Sequence, residues 1–332
     1  MTIRSVCDSF VLGTWGLSGS GSLPVTQSYG RVSELSASQV LDRAWELGMR
    51  TVDTAPGYGG GDGLRRLAAW QRSRGRTWNI AAKPGRPRIN GVPTNRIGPT
   101  ELLAEVAVGA RLVGEPRFVL VKDPSPQSYQ DGSLVEALDL LEETLPGVTV
   151  GVAGHLHASL LRLPPPPRRR VAQIELNGVN RHVSVPAGEA LAGIGWEVWA
   201  MQPLAYGFLA RPDDDPGTRS QEDWRSLLPS ATRTGLRAAA DAFIRSAGAG
   251  EGQADRAATA IAFCLSIPAV SRVLVGPKTP QQLDAVMAAL DLLSDRQRAH
   301  ELHALAPHAS PSDDCPRCAE HTGPNPDDPK SP

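Results

Sequence analysis

Four side chains at or near the ends of apolar runs carry the chemistry this sequence offers. Asp53 lies in RTVDTA, Tyr58 five residues further on in DTAPGYG, Lys83 at the end of WNIAAK and Lys122 at the end of RFVLVK. A lysine at the inner end of a buried strand is costly unless it is paired or used. Beside an aspartate it keeps its charge, and a tyrosine next to that ammonium becomes more acidic than its usual value of about 10, because the phenolate is stabilised. Such a tyrosine suits carbonyl reduction, in which hydride arrives at carbon while the developing alkoxide takes a proton. The same residues also admit a plainer reading, in which Asp53 and Lys83 are an ion pair that ties adjacent strands together.

The elements that must position these residues are short and regular. Strand-like runs occupy residues 10–15, 50–55, 78–83, 117–122, 148–154, 171–177, 196–201 and 271–276, and most are continuously apolar, as strands of a parallel sheet covered on both faces should be. Helical patterns lie between them, with start signals at Ser36, Thr100, Ser133 and Thr279-Pro280, and Gly48 as a stop. Repeated strand-then-helix order predicts right-handed crossovers and a single-domain α/β fold, a (β/α)8 TIM barrel over residues 1–306; a doubly wound open sheet is the alternative. No G-x-G-x-x-G follows the first strand, which disfavours a dinucleotide-binding version of that alternative. Long insertions at 85–99, 122–132 and 205–230 leave the C-terminal ends of strands, the face where a barrel carries its site. LPPPPRRR (163–170) reads as a stiff spacer with a solvated charge run.

Composition narrows the partners. With 34 basic against 35 acidic side chains, the formal charge of -1 gives no electrostatic basis for nucleic acid or an anionic membrane as the main partner. No apolar run approaches the roughly 20 residues of a membrane span, and the first ten residues lack a signal-peptide layout, so a cytoplasmic protein acting on a small molecule is expected. Cys7 and Cys264 lie in stretches that read as buried, where free thiols behave as small hydrophobes. Cys315 and Cys318, with His308 and His321 nearby, form one isolated C-x-x-C in a Pro- and Asp-rich tail (307–332), which reads as a flexible, solvated segment without a metal.

FVLGTWGLSG, RTVDTAPGYGGGDGLRRL, NIAAKPG, QIELNGVNR, QPLAYGFL and VGPKTPQQLDAV, in this order and spacing, resemble the aldo-keto reductase family from about Val11 to Leu290. The resemblance implies a barrel that binds NADP(H) in extended form and interconverts carbonyls and alcohols with an Asp-Tyr-Lys-His tetrad. Asp53, Tyr58 and Lys83 match three members, and Lys122 in VLVKDP stands where the histidine is expected. The implied cofactor-binding residues are Gly13, Thr14, Trp15, Gln173, Met201, Gln202, Leu204, Gly276, Lys278, Thr279 and Gln282, the last group facing the 2'-phosphate. Several family contacts are replaced. The Ser-Asn pair for the nicotinamide carboxamide corresponds to Ala153-Gly154, the stacking aromatic to Met201, and the adenine-anchoring Glu-Asn pair to Ala285-Val286. Asp213 to Asp215 fall where the family closes a clamp over pyrophosphate.

Lys122 has three readings at this stage. It replaces the imidazole as a donor to the substrate oxygen; or it is a Schiff-base nucleophile in lyase or isomerase chemistry; or it is paired in a redox-silent barrel that binds a ligand or protein. Retention of Asp53, Tyr58, Lys83 and Gln173 favours the first, an NADP-dependent oxidoreductase with Tyr58 as proton donor or acceptor.

Overall fold

Chains of β-branched and aliphatic residues that are apolar on both faces need cover on both faces, and the eight strands obtain it by closing on themselves. The computed structural model describes residues 5–18, 29–30, 32–85, 88–89, 92–93, 97–211 and 223–307. The barrel strands are β1 (Phe10–Gly13), β2 (Thr51–Thr54), β3 (Asn79–Ala82), β4 (Phe118–Lys122), β5 (Thr149–Gly154), β6 (Val171–Glu175), β7 (Glu197–Met201) and β8 (Val270–Val275). Each pairs in parallel with its neighbours in sequence, and β1 closes the barrel against β8 through Phe10↔Val273 and Leu12↔Val275. Closure excludes the open doubly wound sheet.

Side chains alternate across each strand, so one parity faces the lumen. Its packed floor consists of Val11, Ala81, Phe118, Leu120, Ala153, Val171 and Trp199, with the Phe118 and Trp199 rings 4.8 Å apart between centroids. Two residues further along, the same parity brings Gly13, Lys83, Lys122, His155, Gln173 and Met201 to the C-terminal mouth above that floor, with Asp53 joining them from β2.

The outer helices include α1 (Glu34–Glu46), α2 (Asp62–Arg74), α3 (Pro99–Val113) and α4 (Ser133–Thr144). Three begin earlier than the sequence signals suggest; α4 does so by one residue, with Gly132 flanking it and Ser133 already inside. Ser33, not Ser36, caps α1: its backbone is extended and its hydroxyl accepts the Ser36 N–H at 3.0 Å. In α3 the flanking residue is Gly98 and Pro99 opens the helix, where a missing N–H costs nothing, so Thr100 is already inside. Thr279-Pro280 leads into a 3-10 turn, Pro280–Leu283, before the helix Asp284–Ser294.

The fifth crossover carries only one helical turn, His157–Leu160, before the proline strap. The strap is anchored by Trp196, whose indole N–H donates to the Pro164 carbonyl at 2.8 Å. Its charge run is not wholly solvated: Arg168 and Arg169 are exposed, but Arg170 is buried and bonds Glu142 of α4 at 3.0 Å, with Asp139 as second partner. Cys264 is buried and donates its S–H to the Leu176 carbonyl at 3.4 Å, while Cys7 is half-buried. No helix among the described residues is long and apolar enough to cross a membrane. Cys315, Cys318, His308 and His321, with the tail beyond residue 307, lie outside the described residues, as do Asp213 to Asp215.

Candidate active site

Asp53 is fixed first by its backbone. Thr14, immediately after β1, donates both its N–H (3.0 Å) and its hydroxyl (2.9 Å) to the Asp53 carbonyl, locking β1 against β2 at the mouth. The register places Asp53 opposite Ala81, and Lys83 follows β3 with its N–H on the Thr54 carbonyl at 3.0 Å. The side chains then meet over the lumen. Lys83 Nζ lies 2.8 Å from Asp53 Oδ1 and donates to Gln173 Oε1 at 3.2 Å, and Gln173 Nε2 donates to Asp53 Oδ2 at 3.0 Å. Asp53, Lys83 and Gln173 are 1%, 5% and 0% exposed, so this three-membered ring is a desolvated pair with its remaining bonding positions partly filled by one amide.

Tyr58 is delivered by the turn Tyr58–Gly61 that precedes α2. Gly59, Gly60 and Gly61 all have positive φ, and at Gly59 a Cβ would lie 2.3 Å from the Ser18 carbonyl oxygen, so the turn can pass beneath the β1 loop only with glycine there. The Tyr58 ring is buried beside two cations: Lys83 Nζ is 5.4 Å and Lys122 Nζ 5.3 Å from its centroid, both within the roughly 6 Å reach of a cation–π contact. The structure thus brings Asp53, Tyr58, Lys83 and Lys122 together at one mouth, with Gln173 among them.

It also brings in a histidine that the sequence reading passed over. β4 and β5 pair Lys122 with Ala153, and the Asp123 N–H donates to the Ala153 carbonyl at 2.7 Å, so His155 emerges from β5 beside Lys122 and Asp123. Its Nδ1 lies 2.9 Å from Asp123 Oδ1, and its Nε2 lies 3.0 Å from Gln202 Nε2 beyond β7. Burial opposes protonation of His155 and Lys122 repels it, but the charge and hydrogen bond of Asp123, with Glu175 behind, outweigh them and hold the imidazole above its usual 6.5. The signal was available: the alternation that turns Ala153 inward, carried one step past the end of β5, reaches position 155.

The residues expected to meet the cofactor lie within or after the C-terminal halves of β1, β6, β7 and β8. Gly13 ends β1, and Trp15 packs edge-on against Tyr29 at 4.6 Å, opening an aromatic wall that continues through Trp224 to Tyr206. Desolvation pushes the Tyr29 phenol up to about 12. Met201 is buried at the end of β7, and Gln202, Ala205 and Tyr206 all have positive φ, so the turn holding Leu204 is strained. Beyond β8 come exposed Gly276 and Thr279, while Lys278 donates its N–H to Gln282 Oε1 at 2.7 Å and its ammonium to the Tyr29 carbonyl. Ala285 and Val286 are buried in helix packing and present nothing to the mouth.

Gln202 tests whether these residues suit a nicotinamide cofactor. Its Nε2 is engaged by His155, and its Oε1 is buried without a partner. A buried amide oxygen without a donor costs about 1–3 kcal/mol, and a ligand N–H such as that of a carboxamide relieves the cost. With apolar Met201 beside it, the pair fits a nicotinamide.

No family model matches the chain, and no curated protein matches its sequence. Solved structures do match. An aldo-keto reductase from Bacillus halodurans, in its holo form, aligns with TM-score 0.62 at 16% identity, covering 92% of this chain and 97% of that one. A glycerol dehydrogenase from Gluconobacter oxydans aligns with TM-score 0.65 at 19% identity, covering 91% and 94%.

Proposed function

We propose that this chain, which has the aldo-keto reductase fold, is an NADP(H)-dependent oxidoreductase that interconverts a carbonyl and an alcohol on a small molecule, with Tyr58 as the proton donor or acceptor. The observation that carries this reading is the approach of both the Lys83 and Lys122 ammonium groups to the Tyr58 ring, 5.4 and 5.3 Å from its centroid. Two cations favour phenolate over phenol, which is what a tyrosine needs in order to give or take a proton near neutral pH. Asp53 holds the Lys83 Nζ in place at 2.8 Å. Lys122 occupies the strand-4 position and orients the substrate oxygen by donating to it, as an ammonium does for a developing alkoxide. Bound at this mouth, the nicotinamide supplies or accepts the hydride. Met201 and Gln202 would hold its ring and carboxamide, and Lys278, Thr279 and Gln282 would meet the 2'-phosphate.

One observation favours a second reading, a barrel that binds ligands without redox chemistry: both amide atoms of Gln173 already bond Lys83 and Asp53, so a carboxamide has only their second bonding positions to share. Titration with NADPH, NADP+ and NADH, followed by tryptophan quenching, separates the two. Micromolar NADPH binding with weaker NADH is expected, and Tyr58→Phe should abolish turnover of a carbonyl panel while leaving that affinity intact. Normal turnover by Tyr58→Phe would refute the mechanism, and no binding at millimolar cofactor would leave the redox-silent barrel.

A further inference from the structure

We propose that Asp123, His155 and Gln202 form a relay in which the protonation of His155 decides whether Gln202 presents a hydrogen-bond acceptor or a donor to the site, and that the acceptor form holds the carboxamide N–H of the cofactor. The inference rests on the nicotinamide reading above. It assigns the carboxamide contact to a different part of the barrel from the one vacated by Ala153 and Gly154.

The argument is one of donor and acceptor counting. A carboxylate only accepts, so the 2.9 Å contact from Asp123 Oδ1 places a proton on His155 Nδ1. In neutral His155 the other nitrogen, Nε2, is then an acceptor, and Gln202 must turn its NH2 toward it, as the 3.0 Å Nε2–Nε2 contact shows. That orientation leaves Gln202 Oε1 buried and without a partner. When His155 gains a second proton, Nε2 becomes a donor. Gln202 then satisfies it only by rotating its amide through half a turn, which takes Oε1 out of the site and puts NH2 in its place. A carboxamide NH2 meets an acceptor in the first state and a donor in the second.

The backbone indicates that the arrangement is held under strain. Asp123 (φ 44) and Gln202 (φ 56) both sit in the left-handed region that non-glycine residues avoid. His155 is faced by Asp123 and Lys122 at the end of β4, Glu175 from β6, Gln202 beyond β7 and His157 of its own segment, and its raised affinity for protons brings the switch toward neutral pH. Affinity for the cofactor is therefore full above the His155 titration and falls as pH drops through it.

The test uses the full chain labelled with 15N-histidine. Imidazole nitrogen spectra of the free protein and NADP+ titrations by tryptophan quenching are both recorded from pH 5.5 to 9. Above the titration the His155 signal, assigned by its loss in His155→Phe, should show a protonated Nδ1 and a bare Nε2. NADP+ affinity should fall about tenfold as that signal titrates, the worth of one hydrogen bond. Asp123→Asn, whose side chain tolerates the left-handed backbone, should move both midpoints to lower pH together. His155→Phe should leave only the slope from the cofactor's own phosphate, which is common to every variant. A protonated Nε2 in neutral His155, or NADP+ affinity that ignores the titration, overturns the relay while leaving the oxidoreductase reading intact. Failure of NADP+ to bind at any pH removes the carboxamide assignment and the cofactor reading together, even with the expected imidazole spectra.

Discussion

Asp53→Asn removes one charge from a pair that is almost entirely out of water, and the structure sets the size of the effect. Asp53 and Lys83 are 2.8 Å apart and 1% and 5% exposed, so the substitution leaves an ammonium in the barrel mouth with only neutral oxygens around it. Breaking a buried pair in this way costs about 3–5 kcal/mol, because the surviving charge keeps its desolvation penalty and loses its counter-charge. At a few degrees per kcal/mol for a chain of this size, the melting temperature should fall by about 6–15 °C. Lys83→Met alone should cost a similar amount by stranding the carboxylate. The double variant Asp53→Asn/Lys83→Met leaves no stranded charge, and its residual loss is that of Gln173, whose two bonds are to these residues, about 1–3 kcal/mol. The double variant should therefore be more stable than either single one. Urea unfolding at pH 7, followed by circular dichroism, measures the cycle. A cost below 1 kcal/mol for Asp53→Asn, or a double variant as unstable as the sum of the singles, would show that the pair does not carry the charge balance described here.

Three further outcomes follow from particular contacts. Lys122→His should keep or raise turnover of simple aldehydes, measured as kcat/KM, because an imidazole at the end of β4 can also donate to the substrate oxygen; complete loss of activity would mean that the ammonium itself is required. Gly59→Ala introduces a Cβ 2.3 Å from the Ser18 carbonyl oxygen at φ +58, and should cost at least about 2 kcal/mol in urea unfolding while lowering kcat through displacement of Tyr58. The Asp123–His155 pair raises the folded imidazole above its usual 6.5, so its stabilisation is complete below that value and is lost as pH rises through the folded one. Wild type should lose stability over that interval and Asp123→Asn should not, as melting curves across pH 5.5 to 9 would show.

The barrel was legible because its signal is repetitive. Eight apolar runs closed by turn chemistry at helix-sized intervals leave few topologies, and the parallel, right-handed rule removes most of the others. What remained hidden was non-local. Ser33 wins the first cap over Ser36 because its extended backbone precedes the helix, and sequence spacing weighs both serines alike. Arg170 sits in a run of three arginines that reads as solvent-facing, and only the packing of α4 against the fifth crossover places Glu142 and Asp139 where they make burial affordable. Without those two carboxylates, a fully buried guanidinium would be out of place in a proline strap.

The site shows the same division between one strand and its neighbours. Asp53, Tyr58, Lys83 and Lys122 were identifiable because each lies at or just beyond the C-terminal end of a strand whose direction the sequence reveals. Gln173 was identifiable too, but its orientation toward Asp53 and Lys83 depends on a lumen that no single strand describes. His155 was missed for a related reason: reading for an imidazole at the end of β4 stops at Lys122, and the histidine stands one strand over. There it bonds Asp123, the residue after Lys122, so β4 retains contact with an imidazole while giving up its own. The exchange separates two duties. A histidine on β4 would both face the substrate oxygen and respond to pH, whereas here an ammonium faces Tyr58 and the titrating ring faces Gln202. On this arrangement, lowering the pH should weaken cofactor binding without altering the group that orients the substrate, because acid protonates the imidazole and adds nothing to an ammonium.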